Sequence, residues 1–253
     1  MAAPDGLAPW LLRLGDNALI LGQRLSQWCG HGPVLEEDIA LANTALDLIG
    51  QAQLWLALAG EVEGKGRSAD DLAFLRDAWE FHNALLVEQP NGDFGQTIMR
   101  QFLFDAWHVE MLGDLANSRD DRVAAIAAKA VKEARYHLER SQALVIGLGD
   151  GTEESHGRMQ AALDILWPFV GELTTPDALD QTMAEAGLAP DLGVLAPLYT
   201  ERVRATLAEA TLSPPGTSFA HQGGKTGQRH SEHLGHLLSQ MQWLQRAYPG
   251  ATW

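Results

Sequence analysis

The stretch LEEDIALANTALDLIGQAQLWLALAGEV (35–62) decides the fold. It opens on Glu36, Glu37 and Asp38, where the positive end of a helix dipole favours negative charge. It then runs on without the period-two alternation of a strand, so the pattern predicts one long α-helix. Working outward, Leu11, Leu14, Ala18, Leu21 and Leu25 mark one apolar face of a helix over 7–28, ended by Gly30-His31-Gly32-Pro33. A polar, Gly-containing loop at 60–68 leads into a helix predicted from Asp70 to about Val87, and Pro90-Asn91-Gly92 is a turn signal. Long helices follow over about 94–117 and 121–148. Shorter ones are expected at 156–172, 176–187 and 191–212. A Pro/Gly-rich loop at 213–229 precedes a last helix at about 230–247. No repeat or linker breaks the pattern. The expectation is one all-α domain over residues 1–253, a ferritin-like four-helix bundle of the four longest helices with additional flanking helices.

Composition restricts the function. With 33 acids against 18 bases the formal charge is −15, which disfavours a nucleic-acid partner. No uncharged apolar run is long enough to span a bilayer, and the start Met-Ala-Ala-Pro-Asp-Gly-Leu lacks the basic-then-apolar plan of a secretory signal. A soluble, cytoplasmic chain with no membrane association is expected. The single cysteine, Cys29, allows no intrachain disulfide and no cysteine-based metal site, and is read as a reduced thiol.

Polar side chains interrupt the apolar helices at defined places. Asn43, Asp47 and Gly50 with Gln51 share a face of 35–62. Gln101, Asp105 and His108 share a face of 94–117, and Glu133 and His137 accompany the apolar face of 121–148. Acids and histidines turned into a helical core suggest a metal site, because a buried charge is costly unless paired or coordinated. A di-iron bundle needs a carboxylate and a histidine three residues apart on each of two helices, and a carboxylate on each of the other two. Here Asp47 is followed three residues on by Gly50, and His137 is preceded by Ala134. Only Asp105 remains as an intervening carboxylate, so three ligands of six are present. The bland alternatives are a polar core layer for Asp47, a helix hydrogen bond for Asp105 and His108, and a core or interface histidine for His137.

Two further patterns are set aside. Gly223-Gly224-Lys225-Thr226 would need a glycine at 219, which is Phe219, and a preceding strand to be a phosphate loop. His230, His233 and His236 spread too widely for one tight site and are read as a surface or interface cluster, with Glu232 available to His236.

The runs LRLGDNALILGQRLSQWCGHGP (12–33), ALANTALDLIGQAQ (40–53), LLVEQPNGDF (85–94), FDAWH (104–108), KEARYHLERS (132–141) and GGKTGQRHSEHLG (223–235) resemble the C-component family of the bacterial phenylacetyl-CoA epoxidases. The resemblance covers essentially the whole chain. It implies a ferritin-like, non-catalytic structural subunit of a multicomponent di-iron monooxygenase that converts phenylacetyl-CoA to its ring 1,2-epoxide in phenylacetate degradation. It also implies pairing with a homologous catalytic partner, the A component, which carries the di-iron centre, and a reductase component that delivers electrons from NADPH. No cofactor would belong to this chain itself. In catalytic relatives the two Glu-x-x-His motifs fall on the positions of Asp47 and Gly50 and of Ala134 and His137, so the site is degenerate. The resemblance further places the CoA part of the substrate, phenylacetyl-CoA, near this chain, with Glu80, Phe81, His82, Asn83, Gln181, Thr182 and Met183 as candidate contacts. Two rival functions stay open: a metal-binding oxidase using Asp47, Asp105, His108 and His137, and a CoA-binding regulatory module served by bases such as Lys65 and Arg67.

Overall fold

In a computed structural model that describes residues 6–216 and 220–251, the chain forms ten α-helices and, among the described residues, no strand. They are α1 (Leu7–Ser26), α2 (Leu35–Glu63), α3 (Ala69–Phe74), α4 (Leu85–Glu88), α5 (Phe94–Leu115), α6 (Asp121–Gly149), α7 (Glu153–Leu166), α8 (Ala178–Glu185), α9 (Leu192–Glu209) and α10 (Glu232–Ala247). Short 3-10 turns lie at Ala78–Glu80, Trp167–Phe169 and Gly171–Leu173. Phe219, whose identity excludes a phosphate loop, and the first five residues lie outside the described residues. No described helix is long and apolar enough to cross a membrane.

The helices fall into two compact bodies. One holds the residues up to Pro90 together with those from Gln222 onward; the other holds Asn91–His221. In the first body α1 packs along α2. Gly15 and Gly22 allow the close approach: a Cβ on Gly15 would meet the Leu56 side chain at 2.6 Å. α1 is buried on every side from Asp16 to Gly22, not on a single face. Asp16 and Asn17 therefore lie in the interior and require partners.

The helix predicted over 70–87 is not continuous. α3 is started by a capping box between Ser68 and Asp71 and stops at Phe74. Arg76 is buried, and Phe81 adopts an extended backbone at φ −86°, ψ 149° before α4 begins. The chain here follows the needs of buried polar groups rather than its own helical period. In the second body α5 and α6 are the long pair, with α7 and α9 packed against them. Asp93 caps α5 through Gln96 N at 2.9 Å, and Asp177 with Asp180 forms a capping box on α8. Tyr199 of α9 donates its buried hydroxyl to the Leu103 carbonyl at 3.2 Å, and burial pushes its phenol well above the ordinary range.

Candidate functional site

On α5 and α6 the sequence-predicted Gln101, Asp105, His108 and His137 are buried in the second body, whereas Glu133 is half-buried. Asp105 is fully buried. Its Oδ1 accepts from Gln101 Nε2 at 2.7 Å and its Oδ2 from Ser141 Oγ at 2.8 Å. The four-residue spacings 101–105 and 137–141 place these groups on the facing sides of the two helices. Burial drives the Asp105 carboxyl up to about 6, although His137, Ser141 and Gln101 favour its ionised form. His108, one turn on, is pushed down to about 3, first by burial and then by His137, and is neutral. Its ring lies 4.9 Å from that of Phe104 and stacks on Trp107, and its Nδ1 has no hydrogen-bond partner among the described residues. His137 is 2% exposed, and Ala134 is buried on the same helix.

A di-iron centre needs several anionic oxygens free to bind metal. Both Asp105 oxygens already accept from neutral side chains, and Ala134 offers no donor. Among the described residues no group of three or more His, Cys, Asp or Glu is arranged to hold a metal. The donor set on α5 and α6 does not fit a pair of iron ions. On α2, Asn43 and Gly50 are exposed and Asp47 is half-buried; only Gln51 of that stripe is buried. A Cβ on Gly50 would meet nothing within 4 Å, so the position opens outward. The expectation that this stripe turns into a core therefore fails for Asn43 and Gly50, because the side of α2 that meets Gly15 and Gly22 of α1 is taken by Ala45, Leu48, Ile49 and Leu56.

The first body contains a second buried polar arrangement that sequence reasoning missed. Asp16 accepts a bidentate ion pair from Arg76 and, through Oδ2, the backbone N–H of His82 at 2.8 Å. The Arg76 guanidinium also donates to the carbonyl oxygens of Leu72 and Glu80 and lies 4.2 Å from the centre of the Phe81 ring. Asn17 Oδ1 accepts the N–H of Ala84 at 2.8 Å. Farther along, fully buried Glu88 gathers four contacts. Oε1 pairs with His230 Nδ1 at 2.6 Å and Asn83 Nδ2 at 2.9 Å; Oε2 accepts from Ser231 N at 2.7 Å and Ser231 Oγ at 2.6 Å. His230 Nε2 lies 3.1 Å from the Phe81 carbonyl.

The 223–231 segment owes its glycines to this arrangement. A Cβ on Gly224 would come within 2.5 Å of the Asn83 carbonyl oxygen and 2.9 Å of the Leu85 nitrogen. The Gly-Gly-Lys-Thr run is thus a clasp against 79–85. The three histidines separate accordingly: the His230 side chain is 4% exposed on Glu88, whereas His236 is exposed.

The residues expected to contact CoA are distributed over both bodies. Glu80 is exposed and accepts the Asp77 N–H at 2.8 Å; Phe81 and Asn83 are buried. His82 is half-buried, and burial lowers its pKa, outweighing the Asp16 charge that would raise it. Gln181 and Thr182 are exposed on α8, and Met183 is buried. Cys29 is exposed and free. A visible signal for the missed network was the pair Asp16-Asn17 within an otherwise apolar run, Leu14 to Leu21. The partner of Asp16, 60 residues away, carried none.

The all-α architecture with its paired long helices is that of the ferritin-like class. The chain belongs to the family described as "Phenylacetic acid catabolic protein", whose model matches residues 2–253. In particular, it is 50% identical over 247 residues to the C component of 1,2-phenylacetyl-CoA epoxidase from Escherichia coli (strain K12), covering 98% of this chain and 99% of the relative.

Proposed function

We propose that this chain is the non-catalytic structural subunit of a cytoplasmic multicomponent di-iron oxygenase that epoxidises phenylacetyl-CoA to the ring 1,2-epoxide during phenylacetate degradation. It pairs with the homologous catalytic A component and keeps it folded and correctly shaped. Iron resides in that partner, and NADPH supplies electrons through a reductase component. The end-to-end 50% identity with the C component of such an epoxidase supports the assignment to the complex. The observation that carries the non-catalytic role is Asp105: both its oxygens accept from neutral side chains, Gln101 and Ser141. The position that the family resemblance gives to a ligand on α6 is Ala134, which has no donor.

The test is iron quantitation on the purified chain alone, alongside co-purification with the A component. The expected result is well below stoichiometric iron and recovery of a stable complex. Near-stoichiometric iron that disappears in Asp105→Ala would instead establish the oxidase built on Asp47, Asp105, His108 and His137. Tight acyl-CoA binding by the isolated chain, with no complex formed, would favour the regulatory module.

A further inference from the structure

The turn that leads into α5 reads Pro90-Asn91-Gly92-Asp93. Of the chain's five asparagines, Asn91 is the one followed by glycine; Asn17, Asn43, Asn83 and Asn117 precede Ala18, Thr44, Ala84 and Ser118. The side-chain carbon of an asparagine is open to attack by the backbone nitrogen of the next residue, and a glycine there has no Cβ to hinder the approach. Gly92 is exposed and sits at φ +58°, in the left-handed region.

Two side chains of α5 hold the two reacting groups. Arg100 donates through Nη2 to Asn91 Oδ1 at 2.7 Å. Thr97 Oγ1 donates to the Asn91 backbone carbonyl at 2.9 Å. Both residues are fully buried, and their three-residue spacing puts them on one face of α5. Each hydrogen bond has a chemical consequence. A guanidinium on Oδ1 draws electrons from Cγ and stabilises the oxyanion that forms when Cγ is attacked. The Asn91 carbonyl and the Gly92 N–H belong to one conjugated peptide group. A donor on that carbonyl stabilises the amide anion, so the Gly92 nitrogen gives up its proton more readily. The adjacent carboxylate, Asp93, is engaged by Gln96 N at 2.9 Å and by Arg158 at 3.1 Å.

We infer that Asn91 is a self-modification site, at which the folded turn promotes deamidation of its own asparagine. The Gly92 amide proton passes to hydroxide, and the Gly92 nitrogen bonds to Asn91 Cγ. The Cγ–Nδ2 bond then breaks, and Nδ2 leaves as ammonia after taking a proton from water. Water opens the resulting cyclic imide to aspartate or isoaspartate. One water is consumed and one ammonia released, with no oxidant or reductant. In the aspartate product the new carboxylate meets a guanidinium already in place, so a neutral acceptor becomes a charged one and the contact strengthens.

The experiment follows residue 91 of the full chain by peptide mass spectrometry at mildly alkaline pH, with ammonia release as a second readout. The folded chain is compared with the same chain unfolded in guanidinium chloride. Restraining the backbone ordinarily slows this reaction; here the folded chain should react at least as fast as the unfolded one. Arg100→Lys and Thr97→Val should each slow the folded chain about tenfold and leave the unfolded rate unchanged. Thr97→Ser, which keeps the hydroxyl, should react at the parental rate. A folded parent that reacts well below its unfolded rate would overturn the inference, and this comparison decides even where a variant fails to fold. Variants that are folded by circular dichroism yet react as fast as the parent would also overturn it. So would product at the other four asparagines in preference to Asn91.

Discussion

Replacing Asp105 with Asn separates a structural carboxylate from a metal ligand. In the folded chain burial lifts the carboxyl from its ordinary 3.8 to about 6. In the unfolded chain it titrates near the ordinary value. Between these limits the folded state holds a proton that the unfolded state has lost, so this group's contribution falls as pH rises from about 4 to about 6. At 1.36 kcal/mol per unit, the ionised carboxylate costs the fold about 3 kcal/mol above that window and about 1 kcal/mol at pH 4.5. Asn has nearly the same shape. Its oxygen can accept from Gln101 Nε2, and its amide can donate to Ser141 Oγ once that hydroxyl turns, so neither neighbour is orphaned. The variant should therefore gain stability over the parent as pH rises, reaching a difference of about 3 kcal/mol at pH 7.5. For a chain of this size that corresponds to a melting temperature higher by roughly 6–12 °C. Thermal melts of both proteins at pH 4.5 and 7.5 read this directly. A gap that does not change between the two pH values would refute the reasoning. So would a variant that becomes relatively weaker at pH 7.5, because the carboxylate would then be stabilised by a cation.

Four other outcomes concern the first body. Asp16→Ala leaves the Arg76 guanidinium buried without its carboxylate and should cost about 3–5 kcal/mol, seen as a lower urea midpoint. Glu88→Ala removes the shared acceptor of His230, Asn83 and Ser231. It should raise amide exchange across 223–234 before the α5–α6 pair is affected, and unchanged exchange in that segment would count against the clasp. Gly224→Ala drives a methyl group against the Asn83 carbonyl, and a loss of about 1–3 kcal/mol in denaturant unfolding is expected, whereas Gly50→Ala should be neutral or slightly stabilising.

The long helices were legible because their signals are local. The acidic start of 35–62 gives α2 within a residue at each end, and the turn at 90–92 precedes the Asp93 cap of α5. Asp105 and His137 could be placed in the interior because both interrupt apolar faces. The helix expected over 70–87 failed for a non-local reason. Arg76 must reach Asp16, and His82 N–H must face the same carboxylate. Helical propensity, a few tenths of a kcal/mol per residue, yields to the several kcal/mol at stake in an unpaired buried charge. The same holds for Glu88 and His230: each looks ordinary alone, and the geometry that joins them spans 142 positions. The outward opening of Gly50 was equally invisible, since periodicity defines a face without saying which face meets a neighbour.

The Glu88 clasp also imposes an order on biosynthesis. The carboxylate is made early, but the imidazole and hydroxyl that satisfy it are translated 142 and 143 residues later. At about 5–20 residues per second, the ribosome leaves that acceptor waiting roughly 7–30 s. During this interval the nascent amino-terminal third carries a long acidic helix and no completed lock. Its final closure belongs to the moments after the carboxyl-terminal helix has left the exit tunnel, the period in which a cognate partner or a chaperone has the first opportunity to engage it.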